Sequence, residues 1–277
     1  MRIGVSLPVR EMKDDIKAIK EFALLAEDLG YAHLRVPDQV LRPGNAHSHE
    51  PLTLLSFIAA ITDKIELVPS VIILPLRKTV LLARQAAGLD ILSGGRLRLG
   101  VGVGSNEEEY RFLGVDYRTR GFLCDEQMTL LKDLWQNEVV TFEGRWHGIE
   151  EVGLNPLPIQ RPIPMWIGAQ VSPSAPVLKR IATQSNGWFV LATPEKFDAI
   201  KAEIDQLANE LGRDSKEIGT EAGVAVVGPR ESEWQCRVER WEKKGLSHLC
   251  LRTLGGGLSS NQHLRKLEEV TKILRNL

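Results

Sequence analysis

Eight short runs rich in valine, isoleucine and leucine recur along this chain, each followed by a stretch of helical period. This alternation limits the fold more than any other feature. Parallel neighbours in a sheet need a long crossover between them, and a helix supplies it, so a chain of this pattern builds a parallel sheet covered by helices. The runs fall at 3–7, 33–36, 65–74, 97–101, 164–168, 187–191, 221–227 and 248–254. Helical stretches are predicted at 14–29, 51–62, 79–92, 120–135, 175–183, 194–211, 231–244 and 262–275. The beat is interrupted after the fourth run by a helical stretch at 107–113, a hairpin at 139–146 around Glu143-Gly144, and a proline-rich loop at 155–164.

Eight evenly spaced units with no linker between them predict one (β/α)8 TIM barrel over residues 1–277, with an insertion after strand four. The length suits it, since such barrels take about 250 residues. A doubly wound open sheet is the alternative, but no glycine-rich nucleotide fingerprint follows Leu7 at the end of the first run.

Composition narrows the function. Basic and acidic residues number 35 and 36, and no Lys/Arg block stands apart, so nucleic acid is not an expected partner. No apolar run approaches the roughly 18 residues of a membrane span, and the first residues read as a strand, not as a secretion signal. Cys124, Cys236 and Cys250 are far apart and suit neither a disulfide framework nor a metal site. A cytoplasmic protein that acts on a small molecule is the expectation.

In a barrel, the residues just past each strand converge on one mouth. Asp38, after strand two, is the candidate for acid/base work, because a carboxylate desolvated there has its pKa raised. Its alternative role is a cap. Glu107, Glu108 and Glu109 open a helix, where negative charge favours the helix dipole in any case. Gly100-x-Gly102-x-Gly104 lacks the third glycine spacing of a dinucleotide site. Two glycine-bearing loops compete to bind phosphate through backbone N–H groups: Gly168-Ala169 followed by Ser172-Pro173, and Gly255-Gly256-Gly257. His47 and His49 lie in a polar loop beside the mouth, but no further partner gives zinc spacing, so no metal site is expected. No nucleophile elbow is present, which argues against a hydrolase.

Several segments together resemble the luciferase-like monooxygenase superfamily, and within it the branch dependent on coenzyme F420, a 5-deazaflavin. They are Val36-Pro37-Asp38, the stretch 65–77, the block from Leu89 to Gly102 with Leu92-Ser93-Gly94-Gly95-Arg96 at its centre, Asn106 to Glu109, Arg120-Gly121, Asp125-Glu126, Leu134-Trp135, Pro164 to Gly168, and Asn186-Gly187-Trp188. The resemblance covers most of residues 1–190. It implies a hydride-transfer enzyme with a non-prolyl cis peptide at Ser70–Val71, forming a bulge against the deazaflavin ring. By the same mapping Val103, Ser105 and Glu108 flank the ring, Gly168-Ala169 binds the tail phosphate, Asp38 and Glu108 are the catalytic candidates, and a homodimer forms across the first helices. An FMN-dependent monooxygenase is the near alternative, and a non-catalytic flavin-binding relative a further one. Where the branch has Asp-His after strand two this chain has Asp38-Gln39, so proton transfer falls to Asp38 alone or to His47 or His49. Gly168-Ala169 stands where Gly-Gly is usual, and Asn186 where an acid is usual.

Overall fold

The computed structural model describes residues 1–41 and 47–275. Its strands are β1 (Arg2–Ser6), β2 (His33–Val36), β3 (Glu66–Pro69), β4 (Ile72–Ile73), β5 (Leu99–Gly102), β6 (Val140–Glu143), β7 (Gly148–Val152), β8 (Met165–Gly168), β9 (Gly187–Val190), β10 (Gly219–Ala225) and β11 (His248–Arg252). Helices are α1 (Val9–Met12), α2 (Ile16–Asp28), α3 (Pro51–Ala59), α4 (Thr79–Leu92), α5 (Glu107–Phe112), α6 (Arg120–Gln136), α7 (Ala175–Gln184), α8 (Pro194–Glu210), α9 (Trp234–Lys243) and α10 (Ser260–Leu274).

All strands except the β6–β7 hairpin form one parallel sheet in the order β3-β2-β1-β11-β10-β9-β8-β5-β4. β3 and β4 are two halves of strand three. The first half pairs with β2, Leu67 bridges Leu97, and the second half pairs with β5 through Ile72↔Val101 and Ile73↔Gly102, which closes the barrel. The (β/α)8 reading therefore holds, with residues between β5 and β8 as its insertion.

Several boundaries differ from the pattern reading, each for a local reason. Strand three is not one run over 65–74, because the cis Ser70–Val71 peptide divides it. The first helical stretch is α2, capped by Asp15, which accepts from the Ala18 N–H at 3.0 Å, and a short helix α1 that the apolar period did not show precedes it at Val9–Met12. Strand seven starts at Gly219, two residues before its apolar run. Gly219 carries no apolar signal because a Cβ there would stand 2.4 Å from the Trp166 ring. The insertion hairpin runs to Val152, turning at Gly144–His147 where the Gly144 N–H donates to the His147 carbonyl at 2.8 Å. Its turn is held from α6: Glu126 accepts from the N–H groups of Arg145, Trp146 and His147 at 2.7–3.0 Å.

The glycines of strand four have a packing cause. Added Cβ atoms at Gly100, Gly102 and Gly104 would stand 2.3 Å from the Pro69 carbonyl oxygen, 2.8 Å from Val71 and 2.8 Å from Ile73. Alternate residues of β5 and its extension thus face strand three, and only glycine lets the two strands close on each other. The Leu92-to-Arg96 motif lies at the opposite end of the barrel. There the Arg96 guanidinium donates to the carbonyls of Ala59, Thr62, Ile65 and Ser93 at 2.6–3.1 Å, tying α3, the start of β3 and the end of α4 together.

Candidate functional site

The barrel interior below the mouth is charged, by residues that stand singly within the apolar runs. Inward positions place Arg35, Arg98 and His33 around Glu221, whose side chain is fully buried. Arg35 and Arg98 donate to its two oxygens at 2.9 and 2.7 Å, and His33 Nε2 lies 3.3 Å away. Burial opposes ionisation, but His33 and the two guanidiniums together hold the Glu221 pKa well below the ordinary carboxylate range. The His33 imidazole is pushed the other way, its pKa lowered first by burial. His33, Glu221 and Cys250 bring ligand-type atoms within 4.8 Å of one another, but the carboxylate is committed to the two arginines. All three cysteines are free thiols.

Above this layer the cis Ser70–Val71 peptide sits at the mouth. The Ser70 hydroxyl accepts from Arg35 at 2.5 Å, and the Ser70 N–H donates to the Val36 carbonyl at 2.7 Å. Val71 lies across the ends of two strands, since Cβ atoms at Gly102 and Gly168 would stand 2.8 and 3.0 Å from its side chain. A side chain at Gly168 would thus press on Val71, so this glycine has a packing role whatever else it does.

Asp38 is nearly enclosed, with 2% of its side chain exposed. Both oxygens accept from Arg77 at 3.0 Å, and Oδ2 also accepts from the Ile73 N–H at 3.2 Å. Burial raises its pKa against the pull of Arg77. An acid/base role would have to break these bonds, which otherwise fasten strand two to the second half of strand three. Glu108 is 70% exposed at the start of α5, 3.8 Å from Arg111. Its neighbour Glu109 turns inward and is buried, accepting from the Leu41 N–H at 3.0 Å. Ser105 is exposed, and Val103 is half-buried with its carbonyl taken by the Tyr110 hydroxyl. His47 and His49 face each other, their Nε2 atoms 3.3 Å apart, against Asp14 and the Lys13 carbonyl. Part of that polar loop, 42–46, lies outside the described residues.

A cavity of 310 Å³ opens beside the bulge, lined by Val103, Gly104, Arg120, Gly168, Ser174 and Arg180 among others. Ala169 is not in its wall, being 2% exposed in the core. Helix α7 begins here with Ser174 as N-cap; neither Ser172 nor its hydroxyl fills that place, and no side chain caps the helix. In its first turn Pro176 has no N–H and the Val177 N–H donates to the Ser174 carbonyl at 2.8 Å, so the Ala175 N–H, at the positive end of the dipole, is the one left open to an anion. Arg180 is occupied by Asp125 at 2.6 and 3.0 Å and by the Gly121 carbonyl. Arg120 is not fully occupied: Nη1 donates to the Tyr117 carbonyl at 2.8 Å, while its buried Nε has no partner among the described residues. The triple glycine is less open to an anion than this loop. The N–H groups of Gly255 and Gly257 already donate to Glu11 at 3.2 and 2.9 Å, so a carboxylate of the chain sits where an anion would bind. Asn186 has a structural job, its side-chain oxygen accepting from the Met165 N–H at 3.0 Å. Arg120 and Ser174 were not legible as partners in the sequence, because two separate loops bring them together.

A closed barrel with a ligand cavity and a backbone bulge side by side at its C-terminal face defines the general class of α/β-barrel enzymes. The chain belongs to the luciferase-like monooxygenase family, whose pattern matches residues 1–273. A protein of Mycobacterium tuberculosis is 29% identical over 212 residues, 70% of this chain and 72% of that protein. The F420-dependent glucose-6-phosphate dehydrogenase of Kineococcus radiotolerans is 31% identical over 156 residues, 54% of this chain and 46% of that protein. The FMNH2-dependent dimethylsulfone monooxygenase of Pseudomonas putida is 23% identical over 227 residues, 80% of this chain and 61% of that protein. Among solved structures, an F420-dependent secondary alcohol dehydrogenase in complex with an F420–acetone adduct superposes with a TM-score of 0.82, at 17% identity over 97% of both chains. Relatives with named activities are thus oxidoreductases and monooxygenases. No helix among the described residues is long and apolar enough to cross a membrane.

Proposed function

We propose that this chain is a coenzyme F420-dependent oxidoreductase that transfers a hydride between the deazaflavin and a small organic substrate. What carries the reading is the 310 Å³ cavity beside the Ser70–Val71 bulge, whose lining includes both Arg120, with a buried Nε that has no partner among the described residues, and Ser174 at the N-terminus of α7, which no side chain caps. Buried donors without acceptors fit a phosphate, since leaving them unpaired costs about 1–3 kcal/mol that an anion recovers. In this reading Arg120, the Ser174 hydroxyl and the Ala175 N–H hold the phosphate, with Gly168 leaving room for close approach. Val103 in the cavity wall and Val71, packed against Gly168 beside it, are the apolar groups offered to a ring system. Bound there, the deazaflavin supplies two-electron hydride chemistry, while the barrel supplies orientation and exclusion of water. Asp38, locked by Arg77 and the Ile73 N–H, positions the bulge, and the exposed carboxylate of Glu108 is the group free to exchange a proton with substrate.

An FMN-dependent monooxygenase is the second reading, favoured by the relative from Pseudomonas putida over 80% of the chain. Both cofactors carry a phosphate, so that cavity alone does not choose between them. Higher identity to the F420-dependent relative, 31% against 23%, supports the first. Fluorescence titration of the purified chain with F420 and with FMN tests the choice. F420 is expected to bind more tightly, and Arg120→Gln to weaken binding at least tenfold; tighter binding of FMN would overturn the preference.

A further inference from the structure

A second cavity, of 330 Å³, opens where β9, β10 and β11 end. It shares no lining residue with the first. The two nevertheless adjoin on the mouth, because Gly168 of β8 pairs with Phe189 of β9 in the sheet. Five arginines line the second cavity, Arg35, Arg230, Arg237, Arg240 and Arg252, against two carboxylates, Glu195 and Glu221. In a chain of net charge -1 this crowding is local.

Following the ion pairs shows which cations remain unmatched. Glu221 is shared between Arg35 and Arg98. Arg240 pairs with Glu195, and Arg230 pairs with Glu233, its Nε donating at 2.9 Å. Arg237 and Arg252 have no carboxylate partner within salt-bridge distance among the described residues. Arg252 ends β11, and its guanidinium lies near Gly223, where an added Cβ would stand 3.6 Å from Arg252 Nε. Arg237 rises from α9 and is half-buried; burial first, then the like charges of Arg230 and Arg252, lower its pKa. Phe189, with the Arg35 guanidinium 4.7 Å from its ring centre, and Trp241 give the cavity an apolar side.

A solvated charged face would spread such cations over open surface and give each a partner or water. Here the half-buried Arg237 and the exposed Arg252 converge on one recess, and an anion bound between them relieves their mutual repulsion. We infer that this cavity holds the anionic end of the substrate, a phosphate monoester, while the reacting end lies toward the neighbouring bulge. Charge favours phosphate over carboxylate: two unmatched guanidiniums face a group that carries about −1.5 to −2 near pH 7. The planar forks of Arg237 and Arg252 suit its oxygens, as an ammonium would not. This inference rests on the proposal that the first cavity holds the cofactor.

The test uses the full chain and inorganic phosphate as probe, with acetate as the carboxylate comparison, followed by titration calorimetry. Arg120→Gln serves as the background, so that the first cavity does not contribute. In that background phosphate is expected to bind at least tenfold tighter than acetate. Adding Arg237→Gln and Arg252→Gln is expected to weaken phosphate at least tenfold, and Arg252→Lys to weaken it by less. In the otherwise wild-type chain the Arg237→Gln/Arg252→Gln pair is expected to leave F420 and FMN affinities within twofold, with the melting temperature unchanged or raised. Phosphate binding insensitive to both arginines, acetate binding as tightly as phosphate, or a tenfold loss of cofactor affinity in the pair would each overturn the inference. If neither F420 nor FMN binds the wild type while phosphate still depends on Arg237 and Arg252, the cofactor proposal fails and the anion site stands.

Discussion

Glu221 is the point at which the interior of the barrel is electrically balanced: one buried carboxylate faces two guanidiniums and an imidazole. Removing it leaves Arg35 without its anion and Arg98 with only Glu66, at 2.9 Å, and breaking a buried pair costs about 3–5 kcal/mol. Glu221→Gln is therefore expected to lower unfolding stability by about that amount at pH 7, measured in urea. The pH dependence has a definite sign. A carboxylate depressed in the folded state adds stability that is present above its unfolded pKa, near 4.5, and is lost as pH falls toward the folded value. The gap between wild type and variant should narrow progressively below pH 4.5; a gap that stays constant or widens there would show that Glu221 is not held ionised by its neighbours. This network was illegible in the sequence, since Arg35 and Arg98 reach Glu221 across separations of 186 and 123 residues. Asp38 stood out in the sequence as a lone carboxylate after strand two, but its two partners come from strand three and the turn beyond it.

At the level of elements, strands three and four act as one unit. Alternating glycines on strand four accept Pro69, Val71 and Ile73, and so place the bulge over the mouth. Gly100→Ala would put a methyl group 2.3 Å from the Pro69 carbonyl oxygen, a backbone atom that cannot rotate away. Overpacking of this kind costs typically about 1–3 kcal/mol. Gly88→Ala, in the interior of α4 with nothing within 4 Å of the new Cβ, should instead stabilise by about 0.5–1 kcal/mol. Urea unfolding of the two variants separates the effects, and equal changes in both would contradict the close fit of the two strands. The glycine spacing was visible in the sequence, but its cause was not, because a glycine needed for close packing looks the same as one needed for a turn or a ligand. The same ambiguity moved the start of strand seven, where Gly219 faces Trp166.

For the molecule as a whole, the eight-unit barrel was legible because strands buried on both faces are written as continuous apolar runs, whatever they face inside. The mouth was legible only in part. Gly168 lies in the wall of its cavity, but Ala169 does not, and the proposed phosphate ligands Arg120 and Ser174 stand at the starts of α6 and α7, after different strands. Periodicity identifies elements and says nothing of which loops meet above them. In the proposed function the cavity beside the Ser70–Val71 bulge holds the cofactor, and Arg120, Ser174 and the start of α7 hold its phosphate. A crystal structure of the chain soaked with F420 tests this most directly. The expected result is a phosphate within hydrogen-bond distance of Arg120 and Ser174, with the ring against Val71 and Val103; a phosphate bound instead among Arg230, Arg237 and Arg252, or a ring away from Val71, would contradict it.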